Sequence, residues 1–591
     1  MHANRGRTLL GEAAPADPIV ARDGRAARPP GGSGNGAMAR HARLVDRLRR
    51  QLQASTGGRV ALIQTHISSV LLAGDFAYKL KKPVAFGFVD FSTLAARRHC
   101  CEEELRLNRR TAPQIYLDVV RITGTEEAPR LNVRGAPIDY AVRMRRFAGR
   151  DLADRRARAG RFSAAHADRL AAAVAAFHQA AAPAPPGAGF GAPAKVLRWA
   201  RENFALALLR LDDEAQRARL QRLADWTEGE FRRREAWFAL RAAAGFIREG
   251  HGDLHLANIV LLDGVPVPFD GIEFNAELRF IDVASDVAFA FMDLVEHGLS
   301  PLAWRFLDRY LQATGDYGLL PGLRFYAVYR ALVRAKVSLI RAHQPDARPA
   351  ERQKASAAFA RDLALAERLA RPAKTMLVAI GGLSGSGKTT VADRLLEGLG
   401  AVRVRSDVER KRLAAVSAGT RVAAGYGAGL YAPAMTARTY ERLRQVADLA
   451  LDAGHPVIVD AALLARSERE ALREVAARHG VRFVLLWCEA PWATLRSRVA
   501  RRERRGRDAS DATVAVLQRQ REAAELPAAD EHALPFDTAV GRTRLDAEVA
   551  ALAARLRGCE EIVASGPRSH RAADPYRGVR RAAQVRDRDA Q

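Results

Sequence analysis

Between residues 59 and 147 the apolar positions fall in short alternating runs broken by turn residues, a texture that predicts strands. RVALI at 59–63 reads as one strand, and SSVLLAGDFAYKL at 68–80 reads as a hairpin turning at Ala73-Gly74-Asp75. A helix is expected over 92–110, and then two more strands, IYLDVVRI and IDYAVRMRRF. Beyond about residue 150 the period lengthens. Ala, Leu and Arg recur at helical spacing, interrupted by AAPAPPGAGFGAP at 181–193. The pattern is a small strand-rich lobe followed by a larger helical one.

At AERLARPAKT a helix runs into a proline and then into the abrupt apolar strand MLVAIGGL, which marks a domain boundary at 365–375. After it LVAI, VRV, PVIVD and RFVLLW alternate with helical segments, the signature of βαβ units and a parallel sheet. The expected organisation has four parts. A disordered, Gly/Pro/Ala/Arg-rich leader covers 1–38, with Met38 as an alternative start. An α+β domain covers 39–368, an α/β domain covers 375–560, and a disordered Arg-rich tail covers 565–591.

The segment Gly382-Leu383-Ser384-Gly385-Ser386-Gly387-Lys388-Thr389, continued by Thr390, fits the phosphate-binding pattern GxxxxGK[ST]. It lies between the strand MLVAI and the helix TTVADRLLEGL, as the pattern requires. Glycines let the backbone wrap around phosphates, and its N–H groups and the helix N-terminus supply positive potential. Lys388 would reach the outer phosphates of ATP and the Thr389 hydroxyl would ligate Mg²⁺. Asp460, closing PVIVD, is the second expected metal residue. Ala461 and Ala462 follow it, so no adjacent glutamate activates water, which argues against a hydrolytic motor.

Strand VRV leads to Asp407, placed to accept a proton from a substrate hydroxyl; a helix-capping role is the plainer alternative. In PWATLRSRVARRERRG, Arg498 and Arg502 stand one helical turn apart and suit a lid over the ATP phosphates, with a solvated charged face as the alternative. Over about 376–555 the chain resembles the small P-loop kinases: gluconate kinase, polynucleotide 5′-hydroxyl kinase and chloramphenicol phosphotransferase.

A second constellation is His251-Gly-Asp253-Leu-His255-Leu-Ala-Asn258, followed by IVLL, an Asp-Gly turn, VPVPF and Asp270. The spacing Asp-x4-Asn then Asp has the logic of kinase catalytic loops, in which one carboxylate orients the attacking hydroxyl while an amide and a second carboxylate hold the metal. It resembles the aminoglycoside phosphotransferase family, a branch of the protein-kinase-like fold. That resemblance implies Asp253 as catalytic base, Asn258 and Asp270 as Mg²⁺ ligands, and His251 as a brace for the loop. It also implies a lysine–glutamate pair: Lys79 with Glu104 is preferred, and Lys81, Glu102 and Glu103 are the alternatives. The phosphate-covering loop has only Gly74 and no GxGxxG. Asp282 and Asp286 read as scaffold.

The fold class expected is therefore an α+β protein-kinase-like bilobal domain followed by an α/β P-loop NTPase domain with a parallel sheet. Of 591 residues 48% are hydrophobic and 27% charged, which suits folded domains, and no run of about 18 uncharged apolar residues suggests a membrane span. Four cysteines form no metal-binding pair, and free thiols and a cytoplasmic location are expected. The net charge of +27 invites a nucleic-acid reading. It is spread along the chain, only nine of the 94 bases are lysines, and no basic-aromatic interleaving offers a stacking platform. The reading that fits best is a Mg-ATP-dependent phosphotransferase with two kinase-type modules acting on a small-molecule hydroxyl. A non-catalytic pseudokinase first half and a nucleic-acid-dependent ATPase are the alternatives.

Overall fold

The computed structural model describes residues 33–87, 89–344, 347–417, 420, 429–505 and 510–558. The expected leader lies outside the described residues up to 32, as does the whole expected tail at 565–591. From Ser33 the chain is helical (α1, Ser33–Thr56), which corrects the leader expected to run to 38. Leu44, Val45, Leu48 and Leu52 bury one stripe of α1 against the first sheet, and helical propagation carries the preceding turns along.

That sheet comprises β1 (Ala61–Gln64), β2 (Ser68–Ala73), β3 (Phe76–Lys81), β4 (Tyr116–Gly124), β5 (Pro129–Leu131) and β6 (Pro137–Arg145), in the order β1-β2-β3-β6-β4-β5. Every neighbouring pair is antiparallel. Alternation sorts its residues by face. Leu71, Leu80, Val120 and Ala141 meet α1, whereas Ala77, Tyr116, Val142 and Met144 pack with Cys101 of α2 (Leu94–Asn108) and with Val260 and Val267 beyond the lobe. Lys79 and Lys81 share the face of Ala77, so both point toward the cleft side.

Val260 and Val267 belong to the hairpin β7 (Ile259–Leu262) and β8 (Val265–Pro268), closed by Asp263-Gly264 at φ +49° and +74°. Behind it, α3 (Val283–Glu296) is buried from Val283 to Val295, followed by α4 (Ser300–Thr314) and α5 (Leu320–Ala342).

After the helix Pro349–Ala370 the chain enters a five-stranded parallel sheet. Its strands are β9 (Met376–Gly381), β10 (Val402–Arg405), β11 (Val457–Asp460), β12 (Arg482–Glu489) and β13 (Leu534–Asp537), ordered β10-β11-β9-β12-β13. β13 was not among the strands expected. Its Pro535 disguises it, and proline is tolerated there because β13 is an edge. Helix α6 (Lys388–Leu399) follows β9, α7 (Pro433–Asp452) precedes β11, and α8 (Trp492–Arg505) follows β12.

One hydrophobic core runs through both halves: Phe306, Leu311 and Leu323 of α4 and α5 belong to the same buried cluster as Val402, Leu443 and Val457. The architecture is thus an α+β unit with a six-stranded antiparallel sheet, joined to an α/β unit built on a five-stranded parallel sheet. Cys100, Cys101 and Cys488 are buried free thiols, and Cys559 lies outside the described residues. Among the described residues no helix is long and apolar enough to cross a membrane.

Candidate active sites

Strand β9 is buried along its whole length and delivers the chain into a tight loop at its C-terminal end, where parallel sheets bind ligands. Two glycines there are dictated by contact as well as by backbone angle. A Cβ on Gly382 (φ +132°) would stand 2.4 Å from the Cys488 carbonyl oxygen, and one on Gly387 (φ +85°) would stand 3.0 Å from Thr538 Cβ. Gly387 caps α6, whose first residue is Lys388. The loop is curled: Lys388 Nζ turns back to donate to the carbonyl oxygens of Gly382 (2.8 Å) and Leu383 (2.9 Å). Burial lowers the lysine's pKa, against the pull of Asp460.

The Leu383 side chain is fully buried with Trp487, Leu495 and Val499, so only its backbone serves the loop. Ser384 N–H donates to Gln520 Oε1 (3.0 Å), and Ser386 Oγ is buried without a hydrogen-bond partner. Around the loop opens a cleft of about 1210 Å³ whose walls include Ser384, Gly385, Lys388, Thr389, Thr390, Asp407, Asp460, Arg498 and Arg502. Residues of the P-loop therefore meet Asp407, Asp460, Arg498 and Arg502, which come from other segments of the chain, in one place.

Asp460 Oδ2 is buried without a hydrogen bond, 3.5 Å from Arg405 Nε and 3.9 Å from Arg403 Nη1. A buried carboxylate oxygen with no hydrogen bond, in the cleft that Thr389 also lines, fits a hard cation that seeks oxygen ligands. Asp407 stands inside the first turn of the helix Ser406–Leu413, whose N-cap is Arg405, so the capping alternative is not what the structure displays.

Arg498 donates to Gly385 O (3.2 Å), Thr538 Oγ1 (3.0 Å) and Thr538 O (2.6 Å), and burial lowers its pKa. Arg502 donates to Ala512 O at 3.4 Å while its Nε is buried and unbonded. Thr538 escaped the sequence reading. Its hydroxyl donates to Ser386 O (2.7 Å), with Glu489 O also in reach of the same proton at 3.1 Å, pinning the loop to the end of β13, and no motif surrounds it. Arg410, Tyr440 and Glu468 also line the cleft and were not anticipated. Burial raises the Glu468 carboxyl.

In the first half, Lys79 Nζ donates to Glu104 Oε1 (2.8 Å) and also to Asp270 Oδ1. Lys81 Nζ donates to Glu104 Oε2 (2.5 Å) and to Glu273. Glu102 and Glu103 instead pair with Arg98 and Arg106. Both lysines thus converge on Glu104. Burial opposes its charge, but the two ammonium groups outweigh burial and hold its pKa down. Glu273, three residues after Asp270, was missed; burial raises its carboxyl even beside Lys81.

Asp253 Oδ2 accepts from Asn258 Nδ2 (2.8 Å) and lies 3.3 Å from His255 Nε2. Burial opposes ionisation of Asp253, yet His255, His251 and Arg330 together hold it well below the usual carboxylate range. The loop is braced from behind: Asp286 accepts the N–H groups of His251 (2.7 Å) and Gly252 (2.9 Å), and His251 Nε2 donates to Phe269 O (3.0 Å). Asp282 caps α3 and takes a two-pronged bond from Arg241 (2.9 and 2.6 Å). Asp270 sits at φ +63°, a left-handed position for a non-glycine residue, with its N–H donated to Tyr116 Oη (3.1 Å).

The curled loop at the head of a parallel sheet defines the second half as a P-loop nucleotide-binding unit, and residues 377–527 match the AAA domain family. Three mycobacterial proteins match far more of the chain. "Uncharacterized protein Rv2004c" of Mycobacterium tuberculosis (strain ATCC 25618 / H37Rv) and "Uncharacterized protein Mb2027c" of Mycobacterium bovis are each 32% identical over 454 residues, 77% of this chain and 88% of theirs. The chain belongs to the family of these mycobacterial proteins. Among solved structures, a gluconokinase from Sinorhizobium meliloti 1021 is 22% identical, covering 32% of this chain and 95% of its own, with a TM-score of 0.23. A choline/ethanolamine kinase family protein from Mesorhizobium loti is 12% identical, covering 55% of this chain and 99% of its own, with a TM-score of 0.31.

Proposed function

We propose that the protein is a Mg-ATP-dependent phosphotransferase in which a P-loop kinase of the gluconate-kinase type is fused to an aminoglycoside-phosphotransferase-like module. The acceptor is a hydroxyl of a small molecule. The observation that carries this reading is the meeting, in one cleft, of the curled loop with Lys388, Asp407 and Asp460. Asp460 is followed by alanines in place of a water-activating glutamate.

In the proposed reaction the acceptor oxygen bonds to the γ-phosphorus as the bond from that phosphorus to the β–γ bridging oxygen breaks, so ADP leaves with the bridging oxygen. The hydroxyl proton passes to the Asp407 carboxylate. Lys388 and the loop N–H groups receive the phosphate oxygens, with the lysine exchanging its present carbonyl partners for them. Thr389 and Asp460 would hold Mg²⁺, which neutralises charge on the phosphates when bound. Arg502, and Arg498 through its grip on Gly385, position the phosphate end of the cleft.

In the first module Asp253 orients a second acceptor hydroxyl, Asn258 and Asp270 would hold the metal, and Lys79, fixed by Glu104, meets the phosphates. A specific observation favours a second reading, a pseudokinase: Lys79 is bonded directly to Asp270, so the residue that would hold the metal is already paired. Transfer of label from γ-labelled ATP into a metabolite extract, compared for wild type, Asp253→Ala and Lys388→Ala, separates the two. Independent losses of different products indicate two active modules. Loss with Lys388→Ala alone indicates a pseudokinase first half, and no labelled product from wild type overturns the proposal.

A further inference from the structure

The free oxygen of Asp460 faces two arginines, Arg403 and Arg405, two residues apart on one face of β10. Each approaches without making a hydrogen bond to that oxygen, whereas an unrestrained arginine would close to about 2.8 Å and saturate the carboxylate. The restraint comes from the other half of the molecule. Arg403 grips Asp308 of α4 with Nε (3.1 Å) and Nη2 (2.8 Å), and Nη2 also reaches Asp393 Oδ1 at 2.9 Å. Arg405 Nη1 donates to Gln312 Oε1 at 3.2 Å, and Gln312 Nε2 donates to Asp308 Oδ2 at 2.6 Å. Asp308 and Gln312 are four residues apart on one helical face. Two neighbours on a helix thus hold two neighbours on a strand.

Arg403 has no exposed surface, and Asp308 is 1% exposed. A guanidinium so enclosed needs an anion, and the anions within reach are Asp308, Asp393 and Asp460. Arg309 of α4 completes the group, donating to Asp308 (2.8 Å) and Asp393 (3.0 Å). The more firmly Asp308 holds Arg403, the less Asp460 has to. Arg403 Nη1 accordingly has no hydrogen bond, and neither does Asp460 Oδ2.

We infer that Asp308 and Gln312, on a helix of the kinase-like half, are positioning residues for the P-loop site: they hold Arg403 and Arg405 back from Asp460 and keep its oxygen open to a cation. This rests on the reading of Asp460 as a metal residue. The kinase-like half therefore contributes to the P-loop site whether or not its own loop at Asp253 is active.

The test is Mn²⁺ binding to the full-length protein with saturating ADP, read by the loss of the free Mn²⁺ paramagnetic resonance signal. Asp308→Asn frees Arg403 to take Asp460, and the Mn²⁺ dissociation constant is expected to rise about tenfold; Gln312→Leu is expected to raise it about threefold. In Asp308→Asn/Arg403→Met the competing cation is gone, and affinity is expected to return to within about twofold of wild type, a rescue that general damage would not produce. Asp460→Asn separates the failures. If it binds Mn²⁺ as wild type does, the reading of Asp460 falls; if it weakens binding while Asp308→Asn and Gln312→Leu do not, the inference alone falls. Should Asp308→Asn lose its cooperative unfolding transition, Gln312→Leu decides, and unchanged affinity in it overturns the inference.

Discussion

Thr538 shows how much of the phosphate loop is held by a side chain that no motif marks. One hydroxyl donates to Ser386 O, stands within reach of Glu489 O and accepts from Arg498, so its loss leaves the buried Ser386 carbonyl without that donor, while Glu489 O keeps the Thr538 N–H. Thr538→Val keeps the shape and is expected to cost about 1–3 kcal/mol in urea unfolding, with nucleotide affinity, read by fluorescent-nucleotide titration, falling about tenfold. The P-loop itself was legible because its glycines answer to backbone angles and close contacts that any sequence must satisfy. Thr538, Gln520 and Glu468 were not, because they reach the cleft from elements far along the chain that only the closed sheet brings near. For the same reason Lys79 and Lys81 remained alternatives in the sequence; it takes the packed helix to show that both meet Glu104.

At the level of elements, the loop from His251 to Asn258 is shaped by the helix behind it. Asp286 on α3 receives two successive backbone N–H groups of that loop, and it does so fully buried. Asp286→Asn presents a weaker acceptor and turns one amide donor toward an N–H. It is expected to destabilise the protein by about 2 kcal/mol and to lower Asp253-dependent label transfer while leaving Lys388-dependent transfer unchanged. The hairpin β7–β8 was readable to within a residue because an Asp-Gly turn separates two apolar runs. The edge strand β13 and the short β5 were not: three or four residues with a proline carry too little periodicity, and their pairing is set by the strands beside them.

For the molecule as a whole, acid should act where the halves meet. His455, 5.8 Å in ring-centroid distance from Trp304 of α4, is pushed down to about 4 by burial and then by Arg324. Its folded value lies below the unfolded one, so its contribution to stability is complete above about pH 6.5 and is lost as pH falls toward 4. The loss amounts to about 3 kcal/mol. Urea midpoints of wild type should fall through that window, and His455→Gln should fall less steeply. Asp362, raised to about 6 by burial, has the opposite sign: its contribution is whole below about pH 4 and disappears as pH rises through 6. Asp362→Asn should leave stability unchanged at pH 4 and increase it by about 2–3 kcal/mol at pH 8.

The apolar interior that passes without a break from α4 and α5 into β10, α7 and β11 has a consequence for how such a protein can change over generations. A gene cut at the linker after Ala370 would yield two polypeptides, each with an oily wound where its sibling had been. A half borrowed from elsewhere would have to arrive with a matching scar. The two parts are therefore bound to be inherited together, and drift in one must be answered by the other.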